Sequence, residues 1–199
     1  DELNAFLVGT DNKAGNTAVI AAPNLVLGDN WTLRDLNCTL NLGGATIHSN
    51  GQFLKDITEK GSLINGSVNI VGDGDMTAAL CATNSGNIEQ VDVTVDEDMR
   101  LLAYATQGGL AGINYGYIIN CKSALQVKGS SGYIGGIAGE SKQKEGSTVL
   151  PVIDKCEVNA RVGATDYDTS INGAGGIVGY AENRVSRCSF NYGMTLMQQ

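Results

Sequence analysis

The chain has 199 residues, among them 27 Gly and only 2 Pro, is 42% hydrophobic, and carries a formal net charge of −8 with a pI near 4.5. That much Gly excludes long helices, the periodic apolar residues exclude disorder, and the negative charge excludes a nucleic-acid backbone or an anionic membrane surface as partner. No apolar run is long enough for a spanning helix, and no basic segment followed by an apolar one heads the sequence; a chain opening on Asp1 reads as a mature or excised piece of a larger protein.

In residues 1–8, Leu3, Phe6 and Leu7 share one helical face, and Gly9 and Asn12 are stop signals. Residues 17–27 read as strand broken at Pro23-Asn24, and Trp31, Leu33, Leu36, Cys38, Leu40 and Leu42 continue an alternating pattern. These pieces make a first coil, with the helix in residues 1–16 as its cap.

From there one phrase recurs. It is Gly108-Gly109-Leu110-Ala111-Gly112, then Gly135-Gly136-Ile137-Ala138-Gly139, then Gly175-Gly176-Ile177-Val178-Gly179. Residues 78–84 are a copy with Ala in place of Gly, and Gly51-Gln52-Phe53-Leu54 is a weaker one. Strands follow each copy and begin at Leu63, Ile88, Ile118, Ile153 and Val185, 25 to 35 residues apart, the period of a solenoid coil.

Stacked on those starts, the next column is Gly66, Val91, Cys121, Cys156 and Cys188. The following one is Val68, Val93, Ser123, Val158 and Phe190, and the last is Ile70, Val95, Leu125, Ala160 and Tyr192. Like residues would pack on like in successive coils about 4.8 Å apart. The three-residue first step predicts a bend near each strand start. The glycines are expected at corners that need unusual φ values. The fold class is therefore all-β, in a single domain whose coils span residues 17–193, with a tail over 194–199.

The phrase resembles the GLUG motif, a Gly-Leu-x-Gly-type repeat of bacterial surface proteins that include adhesin-like proteins and non-catalytic regions of IgA-cleaving peptidases. The resemblance is clearest over residues 50–193, and the opening helix, strand and Leu42-Gly43-Gly44 turn fit the same habit. It implies a right-handed single-stranded parallel β-helix on a cell surface.

Five cysteines are an odd count, and Cys121, Cys156 and Cys188 fall in one interior column, which reads as stacked buried thiols; Cys38 and Cys81 are expected to be buried too. Asp73 and Asp75, in the Val-Gly-Asp-Gly-Asp-Met loop, could hold Ca²⁺ with backbone carbonyls, although Asp and Gly also make plain turns. Asp96-Glu97-Asp98 reads as a solvated loop. His48 reads as a surface histidine. Asn30, Asn37 and Asn65 match a glycosylation pattern that matters only in a eukaryotic secretory pathway.

Parallel β-helices also host polysaccharide lyases and glycoside hydrolases. A carboxylate–cation cluster can be drawn from Asp92, Lys122 and Glu157, with Asp154, Lys155, Arg161 and Arg187 near in the stacked register. Alternating charges on successive coils also describe a solvated, self-paired face. Tyr115, Tyr117, Tyr133, Tyr167 and Tyr180 sit in turns where their rings could stack on sugars or pack the turns. The insertions at residues 142–148 and 163–172 are where a solenoid carries its binding.

The sequence is read as a non-catalytic, secreted or cell-surface module presenting loops to a glycan or protein partner, without membrane insertion. A carbohydrate-active enzyme is the alternative. A structural stalk that associates end to end is the third reading.

Overall fold

The computed structural model describes residues 2–28, 31–72, 76–96, 100–103, 105–164 and 170–191. Asp1, Asn30, Asp73, Asp75, Glu97, Asp98, Tyr167, Tyr192 and the expected tail over 194–199 lie outside the described residues.

One short helix, Glu2–Val8, precedes a succession of short strands. Leu3 and Leu7 are buried, and Phe6 packs on the same core. The stop signals act as expected. The Gly9 N–H donates to the Phe6 carbonyl, and the Asn12 amide donates to the carbonyls of Leu7 and Asp35, both at 2.8 Å. Asn12 Oδ1 also accepts the Asn37 N–H at 2.7 Å, so one side chain ties the helix end to the segment that leads into the strand Thr39–Asn41.

The strand pairs among the described residues are parallel, and each strand meets its counterpart in the repeat before or after. One sheet runs through Thr17–Val19, Thr39–Asn41, Ser62–Ile70, Asn87–Val95, Tyr117–Ile119, Val152–Asp154 and Arg184–Ser186. A second runs through Asp56–Ile57, Cys81–Asn84, Ala111–Asn114, Ala138–Ser141 and Val178–Ala181. Two three-stranded sheets, Arg100–Ala103 with Gln126–Gly129 and Val162–Ala164, and Gln107–Gly108 with Ser131–Gly135 and Ser170–Gly175, complete each later repeat. The chain is mostly β, as its composition and period predict.

The register reproduces the expected columns. Leu63 pairs with Ile88, Ile88 with Ile118, Ile118 with Ile153, and Ile153 with Val185. Val68, Val93, Ser123, Val158 and Phe190 form the next continuous column. The first four members of each column are almost or wholly removed from solvent.

The bend is real and sits at one position in every repeat. Asn65, Gln90, Asn120, Lys155 and Arg187 all have φ between 52° and 64°. None is a glycine, so each holds a left-handed conformation that L residues resist. The turn geometry is imposed by the paired backbones above and below.

Two expectations need correction. The phrase glycines do not turn the corners, because none of them has positive φ. They are needed where backbones meet. A Cβ on Gly109 would lie 2.0 Å from the Gly136 carbonyl oxygen, and one on Gly136 would lie 2.3 Å from that of Gly176. The other correction concerns residues 31–38, which form no strand and contribute only an isolated bridge from Leu36 to Ile57. The Trp31 ring instead stacks on Phe53 at 6.0 Å, and its N–H donates to the Phe53 carbonyl at 2.7 Å. Alternation marked a strand there, but a tertiary contact took the aromatic residue out of it.

Val158 is fully buried, and its methyls close on Gly136 in the facing phrase. Val158→Asp would place an unpaired charge in that column and is expected to cost at least about 3 kcal/mol. Thermal unfolding checks this, and an unchanged melting temperature would contradict the column assignment.

Candidate functional site

The turns between the second sheet and the first build a trough. Three glycines stack there: a Cβ on Gly86 would lie 2.1 Å from the Gly61 carbonyl oxygen, and one on Gly116 would lie 2.1 Å from that of Gly86. Tight backbone stacking therefore leaves this line without side chains, and the flanking residues stand clear of it. Tyr115 and Tyr117, on either side of Gly116, line a concavity of ≈ 300 Å³ with Lys60, Asn87 and Ser147. Tyr117 is 40% exposed. A second concavity of ≈ 490 Å³ adjoins it, reaching Asp56 and Thr83, and shares Glu59, Lys60, Ser85, Tyr115 and Lys144 with the first.

The insertion expected at residues 142–148 forms one wall. Its shape is set locally: the Ser147 N–H donates to the Lys144 carbonyl at 3.0 Å, and the Gln143 amide donates to the Ser147 carbonyl at 2.6 Å. Its Lys144 ammonium reaches back to Glu59 at 2.9 Å, joining residues 85 positions apart in the chain. The hydrogen bond from Lys144 holds the Glu59 carboxyl below its usual range. Both partners are about half exposed, so the pair positions the arm more than it stabilises the fold.

Beside the trough, the outward face of the second sheet continues from repeat to repeat. Thr83, Ile113, Glu140 and Tyr180 are register partners in sequence. Backbone hydrogen bonds from Tyr115 to Asn84, Lys142 to Asn114 and Glu182 to Ser141 set a neighbouring column of Tyr115, Lys142 and Glu182. Glu140 pairs with Lys142 and accepts the Thr106 hydroxyl at 3.1 Å. The hydrogen bond to Glu140 raises the Lys142 pKa. The Tyr180 hydroxyl donates to Glu182 at 3.3 Å, and the Glu182 charge raises the Tyr180 pKa. The rings of Tyr133 and Tyr180 lie 5.1 Å apart, tilted by 33°. Of the five candidate tyrosines, Tyr115 lies with Tyr117, Tyr133 lies with Tyr180 rather than with that pair, and Tyr167 is outside the described residues.

The drawn carboxylate–cation cluster does come together, and its groups bind one another. Lys122 pairs in register with Asp92 and Glu157. Its ammonium is 3.6 Å from Glu157, and its N–H donates to Asp92 at 3.1 Å. Glu157 Oε1 accepts the amides of Asn159 and Asn191 at 3.0 and 2.8 Å, and these bonds with the Lys122 charge lower the Glu157 pKa. Asp154 accepts from Nε and Nη2 of the Arg187 guanidinium and from the Ser186 hydroxyl. Arg187, with Ser186, draws its pKa down to about 2.

The cysteines are free, and Cys121 and Cys156 are buried. The Cys156 N–H donates to the Cys188 sulfur at 3.4 Å, so these repeats stack sulfur on backbone. The thiol contact with Cys121 pushes Cys156 up to about 12, which keeps it an unreactive thiol. His48 is half-buried, with its ring 3.3 Å from the Asn69 amide. The calcium expectation rests on Asp73 and Asp75, outside the described residues.

Sequence reasoning missed a buried polar ladder beneath the trough. The Asn84 amide donates to Asn114 at 2.9 Å, and the Asn114 amide donates to Ser141 at 3.1 Å. Each Asn oxygen accepts the N–H two residues on, Gly86 or Gly116, at 3.2 Å. These bonds fix the glycine turns from inside. The signal was available, since Asn84, Asn114 and Ser141 occupy the same place in successive phrases.

Comparison with known proteins finds no match among protein-family models, curated proteins or solved structures. No helix among the described residues is long and apolar enough to cross a membrane.

The Asp154–Arg187 contact has a definite pH signature. A carboxyl whose folded pKa is about 2 against an ordinary 3.8 contributes stability in full above the ordinary value, and that contribution is lost as pH falls through the folded value. Asp154→Asn should therefore flatten the fall in melting temperature between about pH 4 and pH 2. Calorimetry at several pH values checks this, and equal slopes in both proteins would contradict the pairing.

Proposed function

We propose that this chain is a non-catalytic, secreted or cell-surface module of the adhesin-like kind, built as a right-handed single-stranded parallel β-helix, and that its turn-side trough holds a glycan. The β-helix reading draws support from parallel pairing of each repeat with the next, and the hand from the strong preference of parallel crossovers for the right-handed path. The GLUG-like phrase supports a bacterial surface setting.

The observation that carries the binding assignment is the trough. It sets Tyr115 and Tyr117 beside Ser85, Asn87 and Ser147, under an arm supplied by a repeat-specific insertion. Rings that stack on the apolar faces of sugars, next to groups that hydrogen-bond to hydroxyls, are what glycan recognition requires. The lyase or hydrolase reading has less support. At Asp92, Lys122 and Glu157 the charges are engaged with each other and with Asn amides.

The test is a glycan array of neutral and acidic polysaccharides, with and without calcium, followed for binding and for new reducing or unsaturated ends. Binding without turnover is expected. Tyr115→Ala combined with Tyr117→Ala should lower affinity by about tenfold or more at an unchanged melting temperature. Turnover would overturn the non-catalytic reading.

End-to-end association is a second reading with its own observation. Among the described residues, Thr17–Val19 and Asn24–Val26 each pair on one side only, beside an apolar cleft of ≈ 600 Å³ that Phe6 and Leu25 help to line. Val19 and Val26 are 60% and 73% exposed. Sedimentation velocity should then show mass rising with concentration, reduced by Val26→Lys; a monomer at all concentrations would contradict it.

A further inference from the structure

We propose that the glycan site does not end at the trough but continues along the outward face of the second sheet, and that its ligand is a linear, uncharged polysaccharide crossing successive repeats obliquely. The inference rests on the glycan reading above and extends it.

The geometry points to a chain because two aromatic surfaces, Tyr115 and Tyr180, stand two repeats apart with a polar pair in the repeat between them. Tyr115 and Lys142 occupy the same column in adjacent repeats, and Glu140 and Tyr180 occupy the neighbouring column one repeat apart. Tyr115 and Tyr180 are therefore two stacking steps apart, about 10 Å, and offset by one two-residue step along the strand, about 7 Å. That separation, about 12 Å along the diagonal, is too long for one sugar ring and suits rings of one chain that are not adjacent, with the intervening sugars over the repeat between. Tyr180 is 39% exposed and is backed by Tyr133, which widens the platform and fixes its tilt. Between the two platforms stands the Glu140–Lys142 pair, in which the buried carboxylate holds a partly exposed ammonium that can donate to a sugar hydroxyl.

The same groups argue that the chain is uncharged. Glu140 is compensated by Lys142, and Glu182 accepts both the Tyr180 hydroxyl and the Gln143 N–H. The face thus offers no surplus of cations to a polyanion, and the whole protein, at −8, repels one. A protein partner is less well matched. Besides Tyr117 and Tyr180, the large exposed apolar groups here are Val149 in the trough wall and Leu150 beside it, and two adjacent aliphatic side chains are too small a patch for the core of a specific protein interface.

The test is isothermal titration with cello-, xylo- and N-acetylchito-oligosaccharide dimers and hexamers, and with oligogalacturonate hexamers as the acidic control. In at least one neutral series the hexamer should bind about tenfold more tightly than the dimer. Tyr180→Ala should remove that length gain and leave dimer binding unchanged, Tyr180→Phe should retain it, and Tyr115→Ala should weaken both lengths. Melting temperatures of the variants confirm that the fold is kept. Unchanged hexamer binding in Tyr180→Ala, with Tyr115→Ala impaired, would overturn the extension and leave the trough intact. Preference for the acidic hexamer would overturn the uncharged assignment. No binding of any oligomer by the unaltered protein would overturn both the extension and the glycan reading.

Discussion

Parallel, in-register pairing of each repeat with the next is the constraint on which the rest of the structure depends. It brings backbone onto backbone at the spacing of a sheet, so a side chain at one position must fit against the side chain at the same position one repeat away. Val68 on Val93 and Ile118 on Ile153 are solutions of that kind. Where the backbones come closer still, the solution is no side chain at all, as at Gly109 over Gly136 and Gly86 over Gly61. The same pairing places Asn65, Gln90, Asn120, Lys155 and Arg187 at left-handed φ, which Asn tolerates but Gln, Lys and Arg would not select locally. Hydrogen bonding along the whole ladder offsets the cost at each corner.

That rigidity leaves variation only in the turns and on the outward faces, and the candidate site uses both. The glycine turns are fixed from inside by the Asn84–Asn114–Ser141 ladder and remain bare outside, so Tyr115 and Tyr117 rise beside a line with no side chains of its own. One repeat replaces its short turn with an arm, and Lys144 carries that arm back to Glu59. A binding surface made in this way is preorganised, since the elements that carry it are held by the ladder.

Much of the fold was legible because stacking repeats a residue type at a fixed position. The columns beginning at Leu63 and Val68 could be aligned before any pairing was seen, and the three-residue step announced the corner. The role of glycine was not legible, since composition cannot distinguish an unusual φ from a close approach, and the phrase glycines serve the latter. Alternation misled at Trp31, where stacking on Phe53 outweighed strand propensity. The site was legible only in part. Tyr115 and Tyr117 were evident as neighbours in sequence, but the approach of Tyr133 to Tyr180 and of Lys144 to Glu59 depends on how turns and insertions fold over the coils, which the repeat pattern does not encode.

The most direct test of the central claim, that function resides on the tyrosine-bearing turns, is amide chemical-shift mapping during titration with neutral hexasaccharides. The account predicts perturbations concentrated at Ser85, Asn87, Tyr115, Tyr117 and Lys144 and extending to Tyr180. Perturbations centred instead on Asp92, Lys122 and Glu157, or on the cleft between Phe6 and Leu25, would contradict it.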